Sequence, residues 1–221
     1  MSGQKLGMLG VLLLGLMPIG LGAEELNAEE LIERLQGGGL VVFWRHAETD
    51  RSHDDYDISD MDDCAGQRNL STVGRNHARR VGDGFRALEI PVEKVLTSPF
   101  CRNWETASLA FGDYDIRYDL FNLPWVRDEE RRAHLIDGLT RYLQTPPVDA
   151  ASNIVLVGHD LNLREAVGLE IQEAELAIFK PAHEGPELLG VLGPDDFPAA
   201  DPDRVAPVPV SPGREASDPE R

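Results

Sequence analysis

The run Leu40-Val41-Val42-Phe43 constrains this chain more than any other feature. It is short, continuous and rich in β-branched and aromatic side chains, and Gly37-Gly38-Gly39 separates it from what precedes. Such a run reads as a strand covered on both faces, as in the interior of a parallel sheet. Trp44-Arg45-His46-Ala47-Glu48-Thr49-Asp50 follows at once. An Arg-His pair therefore falls at the carboxyl end of the strand, where open α/β sheets bind ligands. A guanidinium fork recognises oxyanions and an imidazole can attack one, so the pair predicts a phosphate pocket.

The rest of the sequence builds a sheet around that strand. Asn27-Ala28-Glu29-Glu30 has the form of a capping box and opens a helix with Leu31, Ile32 and Leu35 on one face. Ser71 is placed to cap a second helix reaching Leu88, with Ala78, Val81 and Phe85 inward. Val92–Thr97 reads as the second strand. Ser98-Pro99 is expected to cap and open the helix that runs to Phe111, and residues 116–120 to form a shorter third strand. A helix over 129–143 precedes the clearest buried strand, Asn153–Gly158. His159-Asp160 ends that strand, with Asp160 expected to cap a short helix over 161–167. Apolar runs at 176–179 and 188–192, joined by a Pro- and Gly-rich turn, predict an antiparallel hairpin. Together these elements predict an α/β fold: a three-layer αβα sandwich with a mainly parallel central sheet and an antiparallel edge hairpin.

The ends of the chain read differently. Lys5, the apolar stretch 6–16, Pro18 and the small residues of Gly20-Leu21-Gly22-Ala23 have the build of a secretory signal peptide over 1–23. It is short for a membrane span, and an uncleaved N-terminal anchor is the alternative. Residues 24–197 are then the folded domain. The Pro-, Asp- and Ala-rich residues 198–221 are expected to be a disordered tail. Such a protein would be periplasmic or secreted, with no integral membrane segment after cleavage. The formal net charge of −18 argues against nucleic acid or an anionic membrane as a partner. In an exported protein the pair Cys64 and Cys101 suggests a disulfide rather than a metal site. The Asp-dense stretch 48–68 lacks the turn glycine of an EF-hand and reads as a solvated lid, so neither metal nor cofactor is expected.

Three strand ends carry polar groups to one edge: Arg45-His46, Ser98 with Arg102, and Gly158-His159-Asp160. Arg102 would lie in the first turn of its helix, where free amides and the dipole already favour an anion. Guanidinium, imidazole and helix amides converging in this way suit a tetrahedral dianion.

These residues also carry a family resemblance. Arg45-His46-Ala47-Glu48-Thr49 resembles the Arg-His-Gly-Glu-Thr signature of the histidine phosphatase superfamily, which has the phosphoglycerate mutase-like fold. Leu70-Ser71-Thr72-Val73-Gly74-Arg75 resembles its next segment. Ser98-Pro99-Phe100-Cys101-Arg102, with Glu105-Thr106-Ala107, is similar to its second arginine motif, and Gly158-His159 to its second histidine motif. The resemblance implies that His46 is the nucleophile, forming a phosphohistidine that water hydrolyses. Arg45, Arg102 and His159 would hold the phosphoryl oxygens, and no metal would be needed. Apart from the resemblance, Glu48 and Thr49 are placed to support the loop or to donate to phosphate, Thr49 being the better donor. Two departures stand out. Ala47 replaces a glycine, which is harmless only at negative φ. The general acid is open between Asp160, which matches the His-Asp motif of the acid phosphatase branch, and the segment holding Asp119, Asp128, Glu129 and Glu130. The expected activity is metal-independent hydrolysis of a small phosphomonoester. The alternatives are a protein phosphohistidine phosphatase and a noncatalytic phosphate-binding or interaction protein.

Overall fold

The computed structural model describes residues 26–199. The expected signal peptide, and the expected tail beyond residue 199, lie outside the described residues.

Strands β1 (Val41–Arg45), β2 (Val92–Thr97), β3 (Asp115–Ile116), β4 (Asn153–Gly158), β5 (Leu176–Lys180) and β6 (Glu187–Leu192) form one sheet in the order β3-β2-β4-β1-β5-β6. The first four pair in parallel, while β5 runs antiparallel to β1 and β6 to β5. The mainly parallel sheet with an antiparallel edge hairpin is thus as expected. β1 lies between β4 and β5, and Val41, Val42, Phe43 and Trp44 are each 0% exposed. Its side chains alternate between faces, as strand geometry demands. Val42 and Trp44 join the core with α1 (Ala28–Gln36), α2 (Thr72–Ala87) and α3 (Cys101–Phe111). Val41 and Phe43 pack on the other side with α4 (Glu129–Gln144) and α5 (Asp160–Val167). Burial of so many large side chains on both faces, at about 1.5–3 kcal/mol each, is what fixes β1 in the middle.

Local chemistry sets the helix starts. Asn27 and Glu30 form the capping box of α1, Ser71 accepts from Gly74 at the start of α2, and Asp128 caps α4. Three expectations are corrected. The strand over 116–120 is only two residues long, because the chain turns into a 3-10 turn at Tyr118–Leu120. Ser98 does not cap α3: the helix begins at Cys101, with Phe100 at the cap position and no side-chain cap bond there. Asp160 is the first residue of α5 rather than its cap, a position taken by His159.

The acidic stretch after β1 is not a free loop. Ile58 and Met61 pack onto a small apolar cluster of Phe100, Phe121, Leu123, Val126 and Leu135. Cys64 and Cys101 are joined as expected, with Cα atoms 5.8 Å apart. Gln67, fully buried, accepts from the Cys101 amide at 2.9 Å and so caps α3 from the loop side.

Candidate active site

The carboxyl edge of the sheet holds His46 by backbone bonds, one of them to the residue that precedes His159. His46 donates its amide to Gly158 at 3.1 Å, and its carbonyl accepts from Ala174 at 3.0 Å. Ala174 is a buried non-glycine residue at φ 72, a conformation that costs energy. The indole of Trp44 donates to the same residue's carbonyl at 2.9 Å. Ala47, buried, donates its amide to Thr106 Oγ1 at 3.1 Å. The non-glycine residues with positive φ among those described are Glu89 and Ala174, so alanine is tolerated at 47. The loop leaving His46 needs a glycine elsewhere: a Cβ on Gly74 would lie 2.0 Å from the Glu48 carbonyl oxygen. Ser71 fastens this crossing by donating to Glu48 Oε1 at 2.7 Å, and Arg75 pairs with Glu105 on α3 at 2.7 Å.

The two imidazoles stand edge to face with centroids 5.6 Å apart, and each residue is 3% exposed. His46 Nδ1 lies 2.9 Å from the Ala47 carbonyl. A carbonyl can only accept, so the proton sits on Nδ1 and the lone pair on Nε2. His159 Nε2 lies 2.8 Å from Ser98 Oγ, and its ring packs on Phe100. Ser98 therefore serves the site through His159 rather than through a helix cap.

Three arginines surround the pair. Arg45 comes from β1, Arg102 from the first turn of α3, and Arg68 from the end of the acidic loop. Arg45 donates to the Ile171 carbonyl at 2.6 Å and lies 3.8 Å from Asp160 Oδ1. Arg102, 1% exposed, donates to Asp55 Oδ1 at 2.8 Å. Arg68 lies 3.8 Å from Glu173 and 3.7 Å from Asp54. Among the described residues, the buried side-chain atoms without a hydrogen-bond partner include the Nε of Arg45, of Arg68 and of Arg102. Buried donors are nearly always satisfied, so three orphaned guanidinium nitrogens around one pair of rings indicate an anion site.

Burial pushes the pKa of both histidines well below its ordinary value, and Arg102, Arg45 and Arg68 push the same way. For His46 the Ala47 carbonyl opposes this but does not reverse it. Both rings are neutral near pH 7.

His46, Arg45, Arg102 and His159 thus converge as the sequence predicts, and Asp160 lies beside Arg45. Thr49 does not join them: its hydroxyl donates to Glu173 Oε1 at 2.9 Å and its amide bonds the other oxygen at 3.2 Å. It ties the loop to residue 173 instead of facing the pocket as a donor. The alternative acids are engaged elsewhere: Asp119 with Tyr142 and His134, Asp128 as the α4 cap, and Glu129 and Glu130 on that helix's exposed first turn. Sequence reasoning missed Asp55, Arg68 and Glu173; Arg68 has a signal as a basic residue at the end of an Asp-rich stretch, while Glu173 lies far from that stretch in sequence. A cavity of about 450 Å³ between α2 and β2 shares no residue with this cluster.

A strand-end histidine flanked by a second histidine, by the buried Arg102 and by the half-buried Arg45 and Arg68, on a mainly parallel sheet covered on both faces, is a candidate oxyanion site of an α/β protein. Residues 41–122 match the family model of the histidine phosphatase superfamily (branch 1). The matched stretch holds Arg45, His46 and Arg102, so the site lies largely within the part of the chain that resembles that superfamily. No curated protein matches the chain. Among solved structures it is similar to a mycobacterial glucosyl-3-phosphoglycerate phosphatase complexed with VO3, at 14% identity and a TM-score of 0.50, covering 68% of this chain and 97% of that one. It is also similar to an Entamoeba histolytica phosphoserine phosphatase (13% identity, TM-score 0.48, 71% and 98% covered). The protein histidine phosphatase SixA complexed with tungstate is a further neighbour (15%, 0.46, 71% and 98%). At these identities the likeness speaks for the fold alone.

Proposed function

We propose that the protein hydrolyses small phosphomonoesters through a phosphohistidine on His46, with no metal ion. The observation that carries this reading is the set of unpartnered Nε donors on Arg45, Arg68 and Arg102 around a neutral His46. The Nε2 lone pair attacks phosphorus, forming the P–N bond as the ester P–O bond breaks. The guanidinium groups take up the charge on the phosphoryl oxygens, the task a metal performs in other phosphatases. The proton stays on Nδ1, donated to the Ala47 carbonyl, and this hydrogen bond stabilises the imidazole as it acquires the phosphoryl group. Asp160, at the pocket rim beside Arg45, gives a proton to the departing alkoxide and then takes one from the water that attacks phosphorus and breaks the P–N bond. The products are inorganic phosphate and the alcohol.

The Cys64–Cys101 bridge supports an oxidising, periplasmic or secreted location, in keeping with the expected signal peptide. Among the described residues no helix is long and apolar enough to cross a membrane. Turnover of p-nitrophenyl phosphate by the purified protein tests the reading. It should proceed unchanged in EDTA. No turnover, or activity lost to EDTA and restored by a divalent ion, would refute the proposal in whole or in its metal-free part.

A further inference from the structure

Arg102 is held in an unusual way for a residue assigned to bind substrate. Its Nη1 donates to Asp55 Oδ1 at 2.8 Å and to the Arg68 carbonyl at 3.3 Å, and its guanidinium lies over the Phe100 ring, 4.7 Å from the centroid. The same Asp55 oxygen accepts from the Arg68 amide at 2.7 Å. One carboxylate oxygen thus fixes two of the pocket's arginines, one by its side chain and one by its backbone. The contact is end-on, through a single nitrogen. A guanidinium grips an oxyanion best through two parallel donors, and the edge formed by Nε and Nη2 is untouched by Asp55. The Nε on that edge is buried and has no partner. Asp55 therefore leaves the forked edge available while removing the rotational freedom of the group that carries it.

The loop bearing Asp55 is fastened independently to the same helix. Cys64 is bonded to Cys101, the neighbour of Arg102, and Gln67 caps the Cys101 amide. We propose, on the basis of the phosphatase reading above, that Asp55 is the positioning residue of the phosphate clamp, acting through Arg102. An opposite arrangement of the same atoms would make Asp55 an internal competitor of phosphate. The end-on geometry favours positioning, because a competitor would occupy the fork.

The test is a double-mutant cycle read by inhibition of p-nitrophenyl phosphate turnover with inorganic phosphate. Asp55→Ala should raise both Ki for phosphate and KM by about tenfold, the scale of coupling within one ion-pair network, with a smaller effect on kcat. Asp55→Asn keeps the acceptor oxygen and should restore part of the loss. In an Arg102→Ala background, Asp55→Ala should add little. Arg102→Lys keeps the charge without the fork and gives a second cycle should the alanine variant fold poorly. A lower Ki in Asp55→Ala would establish competition and overturn positioning. Losses that multiply fully in the double variant, or a loss confined to poor leaving groups with Ki unchanged, would overturn it as well. A wild type that neither turns over substrate nor responds to phosphate would sink the phosphatase reading and this proposal together. Normal turnover with Ki unmoved by Asp55→Ala would sink this proposal alone.

Discussion

The two walls of the pocket are built by different physics. The sheet edge presents Arg45, His46 and His159 from strand ends locked by backbone pairing: β1 is bonded to β4 on one side and β5 on the other. The acidic loop presents Asp55, Gln67 and Arg68 from irregular backbone. A disulfide, one buried ion pair and a few side chains packed on the Phe100 cluster hold it in place. The first wall cannot shift without unravelling the core, whereas the second rests on contacts that can be removed one at a time. The sheet edge should therefore govern whether chemistry occurs, and the loop how tightly phosphate is held.

The most severe way to break this division is His46→Ala. It should cut kcat by about 10⁴-fold or more, the scale of losing a nucleophile, while the variant keeps the wild-type thermal transition. Substantial residual activity would move the chemistry off the sheet edge. Asp160→Asn should come next, slowing alkyl phosphates by about 100-fold and p-nitrophenyl phosphate far less, because only a poor leaving group needs its proton. Equal losses on both substrates would make Asp160 an orienting partner of Arg45 instead.

The loop wall should answer through affinity and stability. Cys64→Ser with Cys101→Ser removes a bridge spanning 37 residues, which should cost about 4 kcal/mol in chemical denaturation on chain-entropy grounds. KM should rise more than kcat falls. A fall in kcat at constant KM would show that the loop serves the chemistry and not the binding.

The smallest expected effect is on pH. Burial and the arginines depress the folded-state pKa of His46 and His159, so between that value and the ordinary histidine value of about 6.5 the unfolded chain binds more protons. Stability should therefore be retained above about pH 6.5 and fall as the pH drops below it. The His159→Asn variant should show a shallower slope. An unchanged slope would mean that these rings do not set the acid limb.

What was legible in the sequence follows the same division. β1 and β4 were readable because burial on both faces writes a continuous apolar run, and their polar ends could be aligned from the βα alternation alone. The caps Asn27 and Ser71 were readable because the partner lies three residues away. Ser98 was misread because a serine before a proline looks the same whether its hydroxyl caps a helix or meets His159, which lies 61 residues away in sequence. Thr49 was misread for a similar reason, its partner Glu173 being 124 residues off. Asp55 is one aspartate among many in its stretch. Only the fold, returning α3 beneath the loop, singles it out. Cysteine pairing was the exception: two cysteines leave a single intramolecular bridge to form.

The central claim is that His46 itself carries the phosphoryl group during turnover. Quenching the wild-type protein during turnover of labelled substrate, and mapping the label by proteolysis, tests this most directly. The account predicts one acid-labile, alkali-stable phosphoryl group on the peptide containing His46, absent from His46→Ala. Steady turnover with no trapped label, or label on any other residue, would contradict it.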